Sequence, residues 1–312
     1  MLTFAVMNTD ELYMSRCLQL ARMGCENARP NPMVGAVIVY GDRIIGEGYH
    51  IRAGQAHAEV NAFNSISEHD RQFIKDSTLY VSLEPCAHYG KTPPCADLIV
   101  SKGVRRVVVG CKDSFSKVNG QGIKRILDAG IDVSVGILEK ECLWINRRFF
   151  TFNNCHRPYI TLKWAQSADG FIDDNGRAVA LSSAYTKMLV HKLRSESDAI
   201  LVGSVTDSRE HPQLNVRHWT GRSPHKYVLS HDCTADDIIA DCVAHKYQSL
   251  LVEGGLQTLQ TFISRGLFDA IRIETAPFSL GNGTPAPLLP DGLQLVGSQQ
   301  WDGRDIELYI RK

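Results

Sequence analysis

The sequence predicts an α/β protein of two domains. Three observations carry this: β-rich runs alternate with helical periodicity, a polar proline-terminated stretch interrupts the alternation once, and 312 residues exceed the usual size of one domain. After Asp10, read as an N-cap, Met14, Cys17, Leu18 and Ala21 follow helical spacing, and Gly24 stands where a helix would end. Val34 to Tyr40 and Ile44 to Tyr49 flank Gly41-Asp42, which predicts a hairpin. Next come a helix from about His57, a strand over Thr78 to Ser82, a helix from about Cys95 to Ser101 and a strand over Arg106 to Gly110. Gly120-Gln121-Gly122 opens a helix through Leu127, and Gly130 ends it. Ile131 to Gly136 then reads as a strand and Leu138 to Asn146 as a helix, closing a first domain of residues 1–150. Asn153 to Pro158 reads as a linker. The second domain, residues 157–312, alternates again: strand Tyr159 to Trp164, helix Ala184 to Ser195, strands Ala199 to Val202, Tyr227 to Ser230 and Leu250 to Glu253, helix Thr258 to Arg265, strand Ala270 to Ala276.

Composition narrows the function. At 44% hydrophobic and 22% charged residues the chain is globular in character, with neither disorder nor repeats expected. Its 34 basic and 34 acidic residues cancel, so nothing points to a polyanion-binding surface; nucleic acid is disfavoured and a small substrate favoured. No stretch reaches the roughly 18 apolar residues of a membrane span, and Met1 to Val6 lacks a basic leader, so neither membrane nor secretion is expected. Nine cysteines, an odd count, argue for reduced thiols in the cytoplasm rather than a disulfide framework.

The chemistry concentrates in His57-Ala58-Glu59, followed by Pro85-Cys86 and Cys95. One imidazole and two thiols suit zinc, and three protein ligands leave a fourth position for water, whose pKa the metal lowers to about 7. Residues two apart in a helix point about 200° away from each other, so His57 and Glu59 must meet one ion at a helix mouth. Both thiols are expected at helix N-termini, where the dipole favours thiolate. Glu59, not itself a ligand, would take the proton from water and pass it to the ring nitrogen and the departing ammonia, as in zinc deaminases. Two plainer readings stay open: a structural zinc completed by His88, His50 or Cys111, or no metal at all. Against the first, the wide gap between Cys86 and Cys95 differs from the close spacing of structural pairs.

The stretch Glu84-Pro85-Cys86-Ala87-His88-Tyr89-Gly90-Lys91-Thr92-Pro93-Pro94-Cys95, with Pro30-Asn31-Pro32-Met33-Val34-Gly35-Ala36-Val37, resembles the bifunctional riboflavin-biosynthesis deaminase/reductase family. The resemblance implies a cytidine-deaminase-like three-layer domain followed by a dihydrofolate-reductase-like domain. It implies hydrolysis of the 2-amino group of 2,5-diamino-6-(ribosylamino)pyrimidinone 5'-phosphate, then NADPH reduction of the ribosyl group to a ribityl chain. It makes His57, Cys86 and Cys95 the zinc ligands, Glu59 the proton shuttle and Asn31 the residue at the pyrimidine edge, and places His50, Gly54 and His88 in pocket-lining segments. The partner it implies is this small pyrimidine ribotide, acted on by a homodimer or higher homo-oligomer.

In the second half the resemblance rests on Arg157 to Lys163, Ser167 to Gly170, Leu193 to Gly203, Pro212 to Arg217 and Leu251 to Gly255. It implies that Arg194, Leu214, Arg217 and Glu253 contact the sugar-phosphate substrate, an arginine pair gripping the phosphate. Ala165, Thr206, Ser230 and Gly255 would contact NADPH. The chain departs from the family pattern at Gly176 to Ser182, where a serine and a tryptophan are replaced, at Glu210-His211-Pro212, and in a shortened passage from Ser230 to Leu250 expected to lack one element. Two alternatives follow: deamination alone with a degenerate second domain, or an RNA-binding or editing relative.

Overall fold

A computed structural model describes residues 8–89, 93–113 and 120–311, and the chain divides into two compact units, Met1–Cys155 and His156–Lys312. The leader reading over residues 1–6 and residues 90–92 of the inter-cysteine stretch lie outside the described residues.

In the first unit α1 (Thr9–Met23) is capped by Asn8, whose side chain accepts the Glu11 N–H while the Glu11 carboxylate accepts that of Asn8. Asp10 is therefore not the N-cap. It sits in the first turn, held by the Arg106 guanidinium at 3.0 and 2.9 Å and the Tyr80 hydroxyl at 2.8 Å. The hairpin β1 (Gly35–Tyr40) and β2 (Arg43–Tyr49) follows, then α2 (Ala58–Asn64), a 3-10 segment (His69–Asp76), β3 (Thr78–Leu83), α3 (Cys95–Lys102), β4 (Arg106–Cys111), α4 (Gln121–Asp128), β5 (Asp132–Val135), α5 (Glu139–Ile145) and α6 (Arg147–Cys155). Helix α6 occupies part of the stretch expected as linker, so the first unit ends later than residue 150.

The sheet order is β2-β1-β3-β4-β5, with β1 antiparallel to both neighbours and β3, β4 and β5 parallel. Strand residues of opposite parity feed two cores. Ala36, Ile38, Val107 and Val109 pack with Phe63, Ile99 and Ile126 of α2, α3 and α4, while Val37, Val39 and Val108 pack with Met14, Leu18 and Ile145 of α1 and α5. Helices thus cover both faces of the sheet, giving three layers. Helix α2 lies directly against β2: a Cβ added at Gly48 would come 2.5 Å from the Ala62 nitrogen. That close approach brings the N-terminus of α2, and with it His57, to the strand ends.

The second unit runs β6 (Tyr159–Gln166), β7 (Phe171–Asp173), α7 (Ala184–Ser195), β8 (Ala199–Gly203), α8 (Ser204–Glu210), β9 (His225–Leu229), α9 (Ala235–Ala244), β10 (Ser249–Glu253), α10 (Leu256–Ser264), β11 (Ala270–Thr275), β12 (Thr284–Pro285), β13 (Leu293–Trp301) and β14 (Arg304–Arg311). Its main sheet has the order β13-β14-β11-β6-β10-β8-β9, parallel from β11 to β9 and antiparallel at the β13–β14 end, and β12 pairs with β7 separately. One face packs Ile160, Leu162 and Leu201 on Ile238, Leu259 and Phe262; the other holds Ile200, Val202, Leu214 and Leu251. The short passage before β10 is not bare, for it contains α9. Among the described residues no helix is long and apolar enough to cross a membrane, and all nine cysteines are free.

Candidate active sites

The first site assembles at the carboxyl end of β3 and the N-termini of α2 and α3. His57 is the N-cap of α2, in extended backbone, and Glu59 is the second residue of that helix. Cys95 begins α3. Cys86, expected at a helix start, lies instead in irregular chain after β3, but its Sγ accepts the Cys95 N–H at 3.3 Å and so meets the positive end of α3 in space. His57 Nδ1 is 3.6 Å from Cys86 Sγ and 3.3 Å from Cys95 Sγ, and the three ligand atoms lie within 4.8 Å of one another. Tetrahedral zinc with Zn–S near 2.3 Å and Zn–N near 2.0–2.1 Å sets S···N separations of about 3.5 Å. The donor set and its spacing therefore fit zinc. His50, His88 and Cys111 are not part of the group.

The charges agree with this fit. Cys86 is the easier thiol to ionise, its pKa lowered to about 4, first by a hydrogen bond from the Cys95 thiol and then by His57. The same contact pushes Cys95 upward, so a cation is needed to hold both as thiolates. Glu59 is buried, 3% exposed, and burial is the main cause that raises its pKa above the ordinary carboxylate range. A raised pKa makes the carboxyl a better proton acceptor than an ordinary exposed one, the direction a proton shuttle needs.

Asn31 and His50 are hydrogen-bonded to each other beside His57. His50 Nδ1 lies 3.1 Å from the Ala56 carbonyl, which only accepts, so Nδ1 carries the proton and Nε2 the lone pair. The Asn31 amide nitrogen donates to that lone pair at 3.0 Å, which fixes the amide's orientation. The His50 ring also stands edge-on to His57, with centroids 5.4 Å apart. His88 is exposed, and Gly54 is an exposed turn residue at φ +82°.

In the second unit a cleft of about 1130 Å³ opens over the carboxyl ends of β6, β8, β9 and β10. Arg194, Leu214, Arg217, Glu253, Ala165, Thr206, Ser230 and Gly255 all line it. Leu214 is buried with a left-handed backbone, φ +49°, a strained conformation of the kind that gathers at functional sites. Arg194 differs from expectation. Its Nε and Nη2 donate to the two Glu253 oxygens at 2.9 and 2.8 Å, a partly buried bidentate pair, so the expected arginine pair becomes an Arg–Glu pair plus Arg217. Burial alone would raise the Glu253 pKa, but Arg194 and Lys163 outweigh it and hold it below the usual range. The wall from Ala178 to Leu181 is apolar, and the Ser182 hydroxyl donates to buried Glu274 at 3.0 Å.

Lys163 and His191 share this cleft and were not anticipated. Burial lowers the Lys163 pKa, and β6 aligns the residue with Glu253 on β10 and Arg272 on β11. The available signal was a lysine inside a central parallel strand, a position that is ordinarily apolar. His191 sits three residues before Arg194 on one helix face, and its Nδ1 accepts the Arg217 N–H at 3.2 Å.

Residues 7–111 match the family described as the cytidine and deoxycytidylate deaminase zinc-binding region, and residues 158–241 and 235–307 match the RibD C-terminal domain. The riboflavin biosynthesis protein RibD of Aquifex aeolicus (strain VF5) is 35% identical over 319 residues, 88% of this chain and 88% of that protein. RibD of Bacillus amyloliquefaciens is 32% identical over 332 residues, 91% of this chain and 88% of that protein. In structure the chain is similar to a diaminohydroxyphosphoribosylaminopyrimidine deaminase/5-amino-6-(5-phosphoribosylamino)uracil reductase from Thermotoga maritima. The TM-score is 0.89 at 29% identity, covering 97% of this chain and 99% of that one. Neither an RNA-binding relative nor a degenerate second domain finds support in these likenesses.

Proposed function

This chain belongs to the RibD family of riboflavin biosynthesis proteins, and we propose that its two units perform the family's two successive steps through the residues described above. It is a bifunctional enzyme, a zinc-dependent deaminase of a small pyrimidine ribotide phosphate and an NADPH-dependent reductase. The observation that carries the reading is the convergence of His57, Cys86 and Cys95 beside a buried Glu59.

In the first step His57 Nδ1 and the two thiolates would hold zinc, which when bound would supply the Lewis acidity that makes water nucleophilic at neutral pH. Glu59 takes one proton from water and passes it to the ring nitrogen, then carries the second, from the newly added hydroxyl, to the departing amino group, so the C–N bond breaks as the hydroxyl becomes the carbonyl and ammonia leaves. Asn31, oriented by His50, holds the pyrimidine edge; Gly54 and His88 flank the entrance. In the second step the cleft would hold NADPH, which when bound would supply the hydride for conversion of the ribosyl group to ribityl. Ala165, Thr206, Ser230 and Gly255 hold the cofactor, Gly255 at the N-terminus of α10, where backbone N–H groups suit phosphate. Arg217 and Leu214 hold the sugar phosphate, Arg194 fixes Glu253 against the sugar, and Lys163 moves the proton that ring opening and reduction require.

Incubating the protein with the diaminopyrimidine ribotide, with and without NADPH, tests both steps. Ammonia should appear without NADPH, and NADPH oxidation should require the deaminated product; oxidation with no ammonia release would contradict the order. Arg217→Ala should raise the reductase KM about ten- to a hundredfold with deamination unchanged, since a charge-assisted contact contributes about 1.5–3 kcal/mol. Equal damage to both steps would count against the assignment.

The homodimer reading is supported by β13. It is an edge strand without a charged residue or proline, it exposes Leu295 and Trp301, and its only blunting device is the irregularity between Leu295 and Gly297. A self-complementary edge of this kind pairs with a second copy about a twofold axis. Light scattering should give a dimer that Leu295→Lys converts to monomer; a monomeric parent protein would end that reading.

A further inference from the structure

Glu84 is a buried carboxylate, 4% exposed, that neither step uses. Its Oε2 accepts N–H groups from Asp113 at 3.2 Å and Gly120 at 3.0 Å; its Oε1 accepts those of Gly122 at 3.0 Å and Ile123 at 3.4 Å. Gly122 and Ile123 lie in the first turn of α4, where N–H groups have no partner within the helix and the dipole favours negative charge. As a cap alone this would be a local matter. Its position makes it more, because only Pro85 separates Glu84 from Cys86, and proline's fixed φ makes that connection stiff.

Helix α4 also presses on the connection directly. A Cβ built on Gly122 would lie 1.9 Å from the Pro85 carbonyl oxygen, so only glycine allows this approach. From the other side α3 holds Cys86: the Ala96 N–H donates to the Cys86 carbonyl at 3.1 Å, and the Cys95 N–H to Sγ. Cys86 is therefore clamped between two helix N-termini, and Glu84 closes one jaw.

We propose that Glu84 is a positioning residue of the deamination site, locking α4 and the flanking Asp113 and Gly120 onto the Glu84-Pro85-Cys86 segment and so fixing where the Cys86 sulfur meets the metal. The inference rests on reading the first unit as a zinc-dependent deaminase. It assigns a role to a residue outside the ligand set, and it implies that the metal site, Asp113 and the N-terminus of α4 are mechanically one piece.

Glu84→Gln tests it. The amide brings an N–H donor against backbone donors, so part of the fourfold cradle is lost at nearly constant volume. Zinc affinity should fall about ten- to a hundredfold, the range found when outer partners of metal ligands are removed. In the cobalt(II)-substituted protein the thiolate-to-metal charge-transfer bands should shift, while NADPH oxidation with supplied deaminated substrate stays at the parent rate. Glu84→Asp, which keeps the charge, should recover part of the affinity, and Gly122→Ala should reproduce the spectral shift from the opposite jaw. Cobalt spectra and zinc affinities equal to the parent's in Glu84→Gln and Gly122→Ala would overturn the inference. So would simple unfolding of the first unit with no graded metal effect in Glu84→Asp. Failure of the parent protein to release ammonia would instead sink the deaminase reading itself.

Discussion

Exchanging Glu59 for glutamine is expected to slow ammonia release about a hundred- to ten-thousandfold, the span attributed to a positioned proton shuttle, with zinc content and NADPH oxidation unchanged. Glutamine keeps the shape of the side chain but cannot take up a proton and give it back. The carboxyl is buried on α2 two residues after His57, and burial has already moved its pKa toward neutrality. A chain relying on bulk water for proton transfer would lose far less. Ammonia release assayed beside metal analysis of the same sample checks this, and a variant within tenfold of the parent would remove Glu59 from the mechanism.

Stripping the zinc with a chelator has the second large effect: deamination falls below detection and returns with one equivalent of zinc, while the second unit continues to bind NADPH. The sulfur pair explains the expected cost to stability as well. Without a cation, Cys86 ionises readily and Cys95 resists, so half-buried Cys86 and buried Cys95 share a single charge beside His57. Zinc binding only to the folded site contributes stability by mass action, about 2.7 kcal/mol at a hundredfold excess over its Kd. The thermal transition of the first unit should therefore drop on chelation and that of the second should stay. Equal losses in both would show that the metal is not confined to the first unit.

The first site was legible because its residue types are informative by themselves. An imidazole, two thiols and a carboxylate in that order restrict the chemistry before any fold is known, and α2 and α3 needed only ordinary start signals at His57 and Cys95. The cleft of the second unit was different. Arg194 and Glu253 come from α7 and β10, 59 positions apart, and only the folded sheet reveals that they spend their charges on each other. Arg194 was expected to grip the phosphate and Glu253 to contact the sugar-phosphate substrate; a resemblance, not a pattern, collected them.

Missed elements have physical reasons too. Helix α8 buries no residue, so it carries no apolar period to detect. Helix α9 buries only Ile238 among its large side chains, with the small Ala235 and Cys242 on either side, which dilutes the period, although its Thr234–Asp237 capping box was readable. The β13–β14 hairpin was announced by Asp302-Gly303, both at positive φ, a strong two-residue turn signal that went unused. The end of helix α6, Asn153 to Cys155, was read as linker because Asn153 and Asn154 are turn formers that here end a helix.

X-ray absorption at the zinc edge of the loaded protein tests the open three-ligand site most directly. One nitrogen near 2.0–2.1 Å, two sulfurs near 2.3 Å and one light atom from solvent are expected. A third sulfur or a second imidazole in the shell would close the site and contradict the account.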